Sequence, residues 1–158
     1  MDCKSEVNMK QVDPLIKLVK DHKKTSEFLE GVLETRSFLY EEEAWRKIKP
    51  VKEYFQRHII QHFEFEEKQV FPAILSNLAT MESIKLILEL QKEHGIILTK
   101  LWKFLSTTSK MTAPVDKETG AQLNSMGRKI IHLLLAHASK EDDKLIPILE
   151  KNREIFDF

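Results

Sequence analysis

The sequence predicts an all-α protein folded as an up-down-up-down four-helix bundle. Three observations carry the prediction. Glycine and proline are scarce, 4 and 5 in 158 residues, which leaves room for long uninterrupted helices. Apolar residues recur at helical spacing through four long segments. The breaks between those segments are short, and short connections join antiparallel neighbours.

The first helix is expected over 14–36. Asp13 before Pro14 reads as an N-cap followed by proline in the first turn, where the missing N–H has no partner to lose. Leu15, Leu18, Val19, His22, Leu29, Val32 and Leu33 repeat behind it. The second helix is expected from about 41 into the seventies, either bent at Pro50 and Pro72 or with a short lead-in divided off at Pro50. The third starts near Thr80 or Met81 and ends around Ser109. A loop with Ser, Thr and Pro114 follows, and Asp116 caps a fourth helix that runs past Pro147 to about Lys151. The apolar runs Ile84–Leu90 and Ile130–Leu135 resemble buried strands in isolation, but their flanks continue the helical period without turn residues.

A chain of this length supports one good core, so a single domain over 1–158 is expected, with its core at about 12–151. Lys and Arg number 25, as do Asp and Glu, and this balance gives no reason to expect a nucleic acid or an anionic membrane as partner. Cys3 is the only cysteine, which excludes an intrachain disulfide and a thiolate metal cluster. Residues 1–9 are polar, and no stretch reaches 18 uncharged apolar residues. The expectation is a soluble cytoplasmic protein, monomeric or homodimeric.

Each helix carries polar residues on its inward stripe. In the fourth, Met126, Ile130, Leu133, Leu134, His137, Glu141, Leu145 and Ile148 face one side, with His137 and Glu141 one turn apart. In the second, Val51, Phe55, His62, Glu66, Val70 and Ala73 repeat the arrangement. His22 lies between Leu18 and Leu29, and His94 between Leu90 and Leu98. Leucine would pack better at all six positions. A buried unpaired carboxylate costs several kcal/mol, roughly the penalty for an isolated buried ion, and two near each other repel. Bound cations remove both difficulties. Histidine and carboxylate suit iron, manganese or zinc, and four histidines with two carboxylates exceed what one tetrahedral zinc takes. They fit two octahedral ions bridged by the carboxylates, with positions left for water or oxygen. The order is doubled: Leu18 to His22 echoes Leu90 to His94 at an offset of 72 residues, and His62 to Pro72 echoes His137 to Pro147 at 75.

Other residues carry weaker readings. His58, one turn before His62, is an additional ligand candidate or a hydrogen-bond partner. Asp21 and Glu93 directly precede His22 and His94; they either orient an imidazole on a neighbouring helix or lie at the surface. Glu67 points a further 100° round from Glu66 and is expected to matter far less. His132 falls off the stripe, and Tyr54 is assigned to packing near the site. No nucleophilic triad and no glycine-rich phosphate loop is present, so no catalytic residue is assigned.

At His22, His62-Phe-Glu-Phe-Glu-Glu-Lys-Gln-Val-Phe-Pro72, His94 and His137 to Glu141, the chain resembles the hemerythrin-like, or HHE cation-binding, family over roughly 22–147. The resemblance implies a non-haem di-iron centre in a four-helix bundle, with Glu66 and Glu141 as bridges between histidine-held ions. Oxygen carriers in this family have a second histidine on the third helix, where Leu90 stands here, and an aspartate at the position of Asp142. Glu141 has the better spacing from His137 and mirrors Glu66. The departure at Leu90 leaves one metal position more open and puts reversible oxygen carriage in doubt. The functional expectation is binding of, or reaction with, dioxygen, peroxide or nitric oxide in sensing, iron handling or stress defence. The alternatives are a di-iron oxidoreductase acting on a small substrate and a metal-stabilised module that binds a separate protein partner.

Overall fold

The computed structural model describes residues 13–34, 42–112 and 115–156. The expected helix end at 36 and start at 41, together with Cys3, Tyr40 and Pro114, lie outside them. Four long helical rods form the bundle. The first, α1, is Pro14–Glu34. Its start follows from Asp13, whose Oδ1 accepts the Leu15 N–H at 2.9 Å. The second, α2, spans 42–77 and runs through Pro50 without dividing. The third, α3, is Met81–Ser109, opened by a capping box between Thr80 and Ser83. The fourth, α4, spans 117–151, and Asp116 caps it by accepting the Thr119 N–H at 2.7 Å. A short 3-10 turn, Arg153–Phe156, follows. No helix among the described residues is long and apolar enough to cross a membrane.

Two apolar clusters fill the bundle. One contains Leu29, Phe55, Ile59, Phe63, Ile97, Leu101, Phe104, Ile130 and Leu134. The other contains Leu15, Leu18, Val70, Phe71, Ile74, Leu90, Leu145 and Leu149. On every rod the inward polar residues fall between members of the two clusters: His22 between Leu18 and Leu29, Glu66 between Phe63 and Val70, His94 between Leu90 and Ile97, and His137 and Glu141 between Leu134 and Leu145. Apolar packing on both sides fixes the level at which they meet.

Two wide turns adjust α2 and α4 at that level. Proline lacks an N–H, and in a regular helix its ring clashes with the carbonyl four residues back. The chain accommodates Pro72 with a π-helical turn over Glu66–Val70, in which the Phe71 N–H reaches the Glu66 carbonyl five residues back. Pro147 follows an equivalent turn over Glu141–Leu145, where the Ile146 N–H reaches the Glu141 carbonyl. A third π turn covers Phe55–Ile59. Each wide turn holds more residues than a regular one, so the inward face advances beyond it. Ile74 and Leu149 are fully buried, whereas Ala73 and Ile148, expected from unbroken helical spacing, are only half-buried. Val19, placed on the inward stripe of α1 by its spacing, is exposed.

Candidate metal centre

The structure brings together all six residues of the doubled pattern. His22, Glu66, His94, His137 and Glu141 are buried, and the His62 side chain is 11% exposed. They form two groups: His22, His62, Glu66 and Glu141 in one, and Glu66, His94 and His137 in the other, with ligand atoms in each group within 4.8 Å of one another. The glutamates lie between the imidazole pairs. Glu66 Oε1 is 3.1 Å from His62 Nε2 and 3.3 Å from His94 Nε2. Glu141 Oε1 is 3.0 Å from His137 Nε2 and 3.5 Å from His22 Nε2.

The outer nitrogen of every imidazole faces a further carboxylate. His22 Nδ1 is 2.6 Å from Asp142 Oδ1, and His94 Nδ1 is 2.9 Å from Glu67 Oε1. His137 Nδ1 is 3.3 Å from Glu93 Oε1, and His62 Nδ1 is 3.5 Å from Asp21 Oδ2. A carboxylate only accepts, so the Nδ1 contacts of His22, His94 and His137 favour a proton on Nδ1 and turn an Nε2 lone pair inward, while His62 keeps a second proton on Nε2 until a cation displaces it. His94 Nε2 and His137 Nε2 approach to 3.0 Å, and with both Nδ1 protons turned to the carboxylates their lone pairs face each other. Both oxygens of Glu66 and of Glu141 are buried and receive no hydrogen bond, and His22 Nε2 and His62 Nδ1 are likewise unpartnered. Inward lone pairs and bare carboxylate oxygens at one level of an apolar bundle are an arrangement that cations satisfy and protein groups do not. The donor set therefore fits a pair of metal ions.

A hemerythrin HHE cation-binding domain model matches residues 13–149. The chain belongs to this family. Comparison with curated proteins and comparison with solved structures give no significant match. Family membership and the two His/carboxylate groups together make this a hemerythrin-like metal-binding protein with a site of the non-haem di-iron kind.

The surrounding charges follow from the same contacts. Burial raises the Glu66 carboxyl, but the imidazoles of His137, His62 and His94 outweigh it and hold the group well below the usual range. Burial lowers His62, yet Asp21 and Glu66 outweigh that and push it up to about 9. Asp21 is raised by burial and brought down to about 2 by His62 and Lys17, whose Nζ lies 2.8 Å from its Oδ2. Glu93 is lowered despite partial burial, chiefly by Lys140 at 2.6 Å and by His137.

Not every candidate from the sequence joins the cluster. His58 is exposed and stacks on Tyr54, with ring centroids 4.9 Å apart. The Tyr54 hydroxyl donates to Thr25 Oγ1 at 2.7 Å, and its ring stacks on Phe28. Asp142 meets the outer nitrogen of His22 rather than the space between the imidazoles. His132 is exposed. Glu67 differs most from its expected role. One residue round from Glu66, its carboxylate reaches His94 on α3, as Asp21 and Glu93, one residue from His22 and His94, reach His62 and His137. The sequence held a signal for this: an acidic residue follows each inward glutamate at the 75-residue offset, and an acidic residue precedes His22 and His94 at the 72-residue offset.

Proposed function

We propose that this hemerythrin-like protein holds two iron ions, one on His22 and His62 and the other on His94 and His137, with Glu66 and Glu141 bridging them. The observation that carries the reading is the 3.0 Å approach of His94 and His137 Nε2 while both Nδ1 atoms face carboxylates. Manganese and zinc are substitutes the same donors accept. Two imidazoles and two carboxylate oxygens give each ion four protein ligands, fewer than the six of an octahedral ion, and Leu90 adds none. The remaining positions suit water or a small ligand: dioxygen, nitric oxide or peroxide. Bound iron supplies one-electron redox chemistry and binding of such ligands; the chain's own residues orient the imidazoles and close the site against bulk water. A cavity of about 440 Å³, lined by Phe28, Val32, Val51, Phe104 and Ile131, includes none of the six residues. The near-complete burial of the six residues among apolar side chains favours a small ligand, and with it a role in sensing, iron handling or stress defence.

The test is to load the chain with ferrous iron anaerobically and add nitric oxide, azide, peroxide and oxygen separately. Distinct absorption changes with nitric oxide and azide are expected. Oxygen should alter the spectrum irreversibly. Return of the starting spectrum under vacuum would instead mark an oxygen carrier, and a spectrum unaffected by every ligand would contradict an open position.

The raised His62 gives a pH dependence. Iron requires an unprotonated Nε2, so loading must displace a proton from metal-free His62. Apparent iron affinity should climb with pH up to about 9 and level off above it. Competition against a chelator of known affinity checks this, and a flat profile from pH ~6 upward would contradict it. In the metal-free chain the sign for stability is opposite. A raised histidine contributes stability that is fully present below its unfolded value of 6.5 and lost as pH rises through about 9.

A further inference from the structure

The four outer carboxylates form a closed, two-fold arrangement. Asp21, beside His22 in sequence, faces His62, and Glu93, beside His94, faces His137. Glu67, beside Glu66, faces His94, and Asp142, beside Glu141, faces His22. Every inner residue except His62 and His137 thus has an acidic neighbour that serves an imidazole on another rod. Each imidazole pair receives one carboxylate tied to a lysine and one that is not. Asp21 is held by Lys17 and Glu93 by Lys140. Glu67 instead accepts from the Gln91 amide at 3.0 Å, and the Asp142 side chain is half exposed.

The charges have a direction. Glu66 and Glu141 place two negative charges between the imidazole pairs, and the outer carboxylates add four around them. The two lysines offset part of this excess. Negative charge close to a metal pair stabilises its more positive oxidation state, and a carboxylate on Nδ1 makes the imidazole a stronger donor.

We propose that Asp21, Glu67, Glu93 and Asp142 are positioning residues. Asp142, Glu67 and Glu93 fix His22, His94 and His137 with the proton on Nδ1 and Nε2 turned inward, Asp21 attracts His62 across 3.5 Å, and by their charge all four favour the ferric form of the pair, while Lys17 and Lys140 moderate that preference. The inference rests on the di-iron reading.

The experiment compares the wild type with Glu67→Gln, Asp142→Asn, Asp142→Glu, Lys17→Met and Lys140→Met. Iron content, ferrous affinity by anaerobic chelator competition, and midpoint potential by mediated optical titration are the readouts. Glu67→Gln and Asp142→Asn should bind iron about 10–100-fold more weakly, the usual loss when a ligand's hydrogen-bond partner is removed, and their potentials should move positive. Asp142→Glu keeps the charge and should restore the wild-type potential. The lysine variants should move the potential negative, a sign that a merely structural role would not produce. They alter partly exposed side chains, so they keep the test open if an acidic-site variant fails to fold. A wild type holding two irons, with amide and lysine variants matching it in affinity and potential, overturns this inference alone. A wild type that takes up no iron overturns the di-iron reading and this inference with it.

Discussion

Glu66→Ala is expected to hold fewer than two irons per chain and to melt well below the iron-loaded wild type. Glu66 is fully buried, and its Oε1 lies between His62 and His94, one from each imidazole pair. In the proposed bridging arrangement, removing it takes a ligand from both ions together. Iron at about a thousand times its dissociation constant adds ~4 kcal/mol to stability. For a chain of this size each kcal/mol moves the melting temperature by roughly 2–4 °C, so the loaded forms should differ by about 8–16 °C. The metal-free forms should differ less, by the loss of the Glu66 carboxylate's attraction to His62, His94 and His137 alone. Metal analysis beside melts in both forms separates the two cases. Glu64→Ala is the control: among the described residues Glu64 pairs with Lys68, at 3.9 Å on the surface, and such a pair is worth ~0–1 kcal/mol. Full iron content in Glu66→Ala would remove Glu66 from the ligand set.

Phe63→Ala should cost nearly as much by a different route. Phe63 is buried next to the centre. Its ring stacks on His94 at 3.9 Å between centroids and meets His137 edge-on at 5.5 Å. Truncating a buried phenylalanine costs about 3–5 kcal/mol through lost transfer energy and the cavity left behind. At ~2–4 °C per kcal/mol that is roughly 6–20 °C. The cavity would also free the His94 imidazole to tilt, so iron affinity should fall together with stability. The loaded form should lose more than the metal-free form if the ring orients the imidazoles, and the same amount if it only fills space. A variant melting within about 2 °C of the wild type would show that Phe63 does not anchor this level of the bundle.

Most of the fold was legible because helical periodicity and end signals agree. Asp13 and Asp116 cap where their positions suggested, Thr80 opens α3, and α4 continues past Pro147. The convergence of the six inward residues was legible for a related reason. A histidine or glutamate in a row of leucines is costly unless something satisfies it, and the doubled spacing put all four helices at one level. Less legible were the consequences of Pro72 and Pro147. Periodicity assumes a constant step per residue, and a π turn changes it. That change moved burial from Ala73 to Ile74 and from Ile148 to Leu149. His58 was ambiguous because one helical turn from His62 means the same face only on a regular helix. The π turn Phe55–Ile59 includes His58 and ends before His62, and His58 stacks against Tyr54.

The most direct test of the account is an anaerobic ferrous titration of the metal-free wild-type chain, followed by metal analysis after gel filtration. Two irons retained per chain are predicted, with both imidazole pairs engaged, so that His22→Ala and His94→Ala each lose iron. Saturation at a single ion, retention of one zinc in preference to iron, or full loading of both histidine variants would contradict a shared two-ion centre.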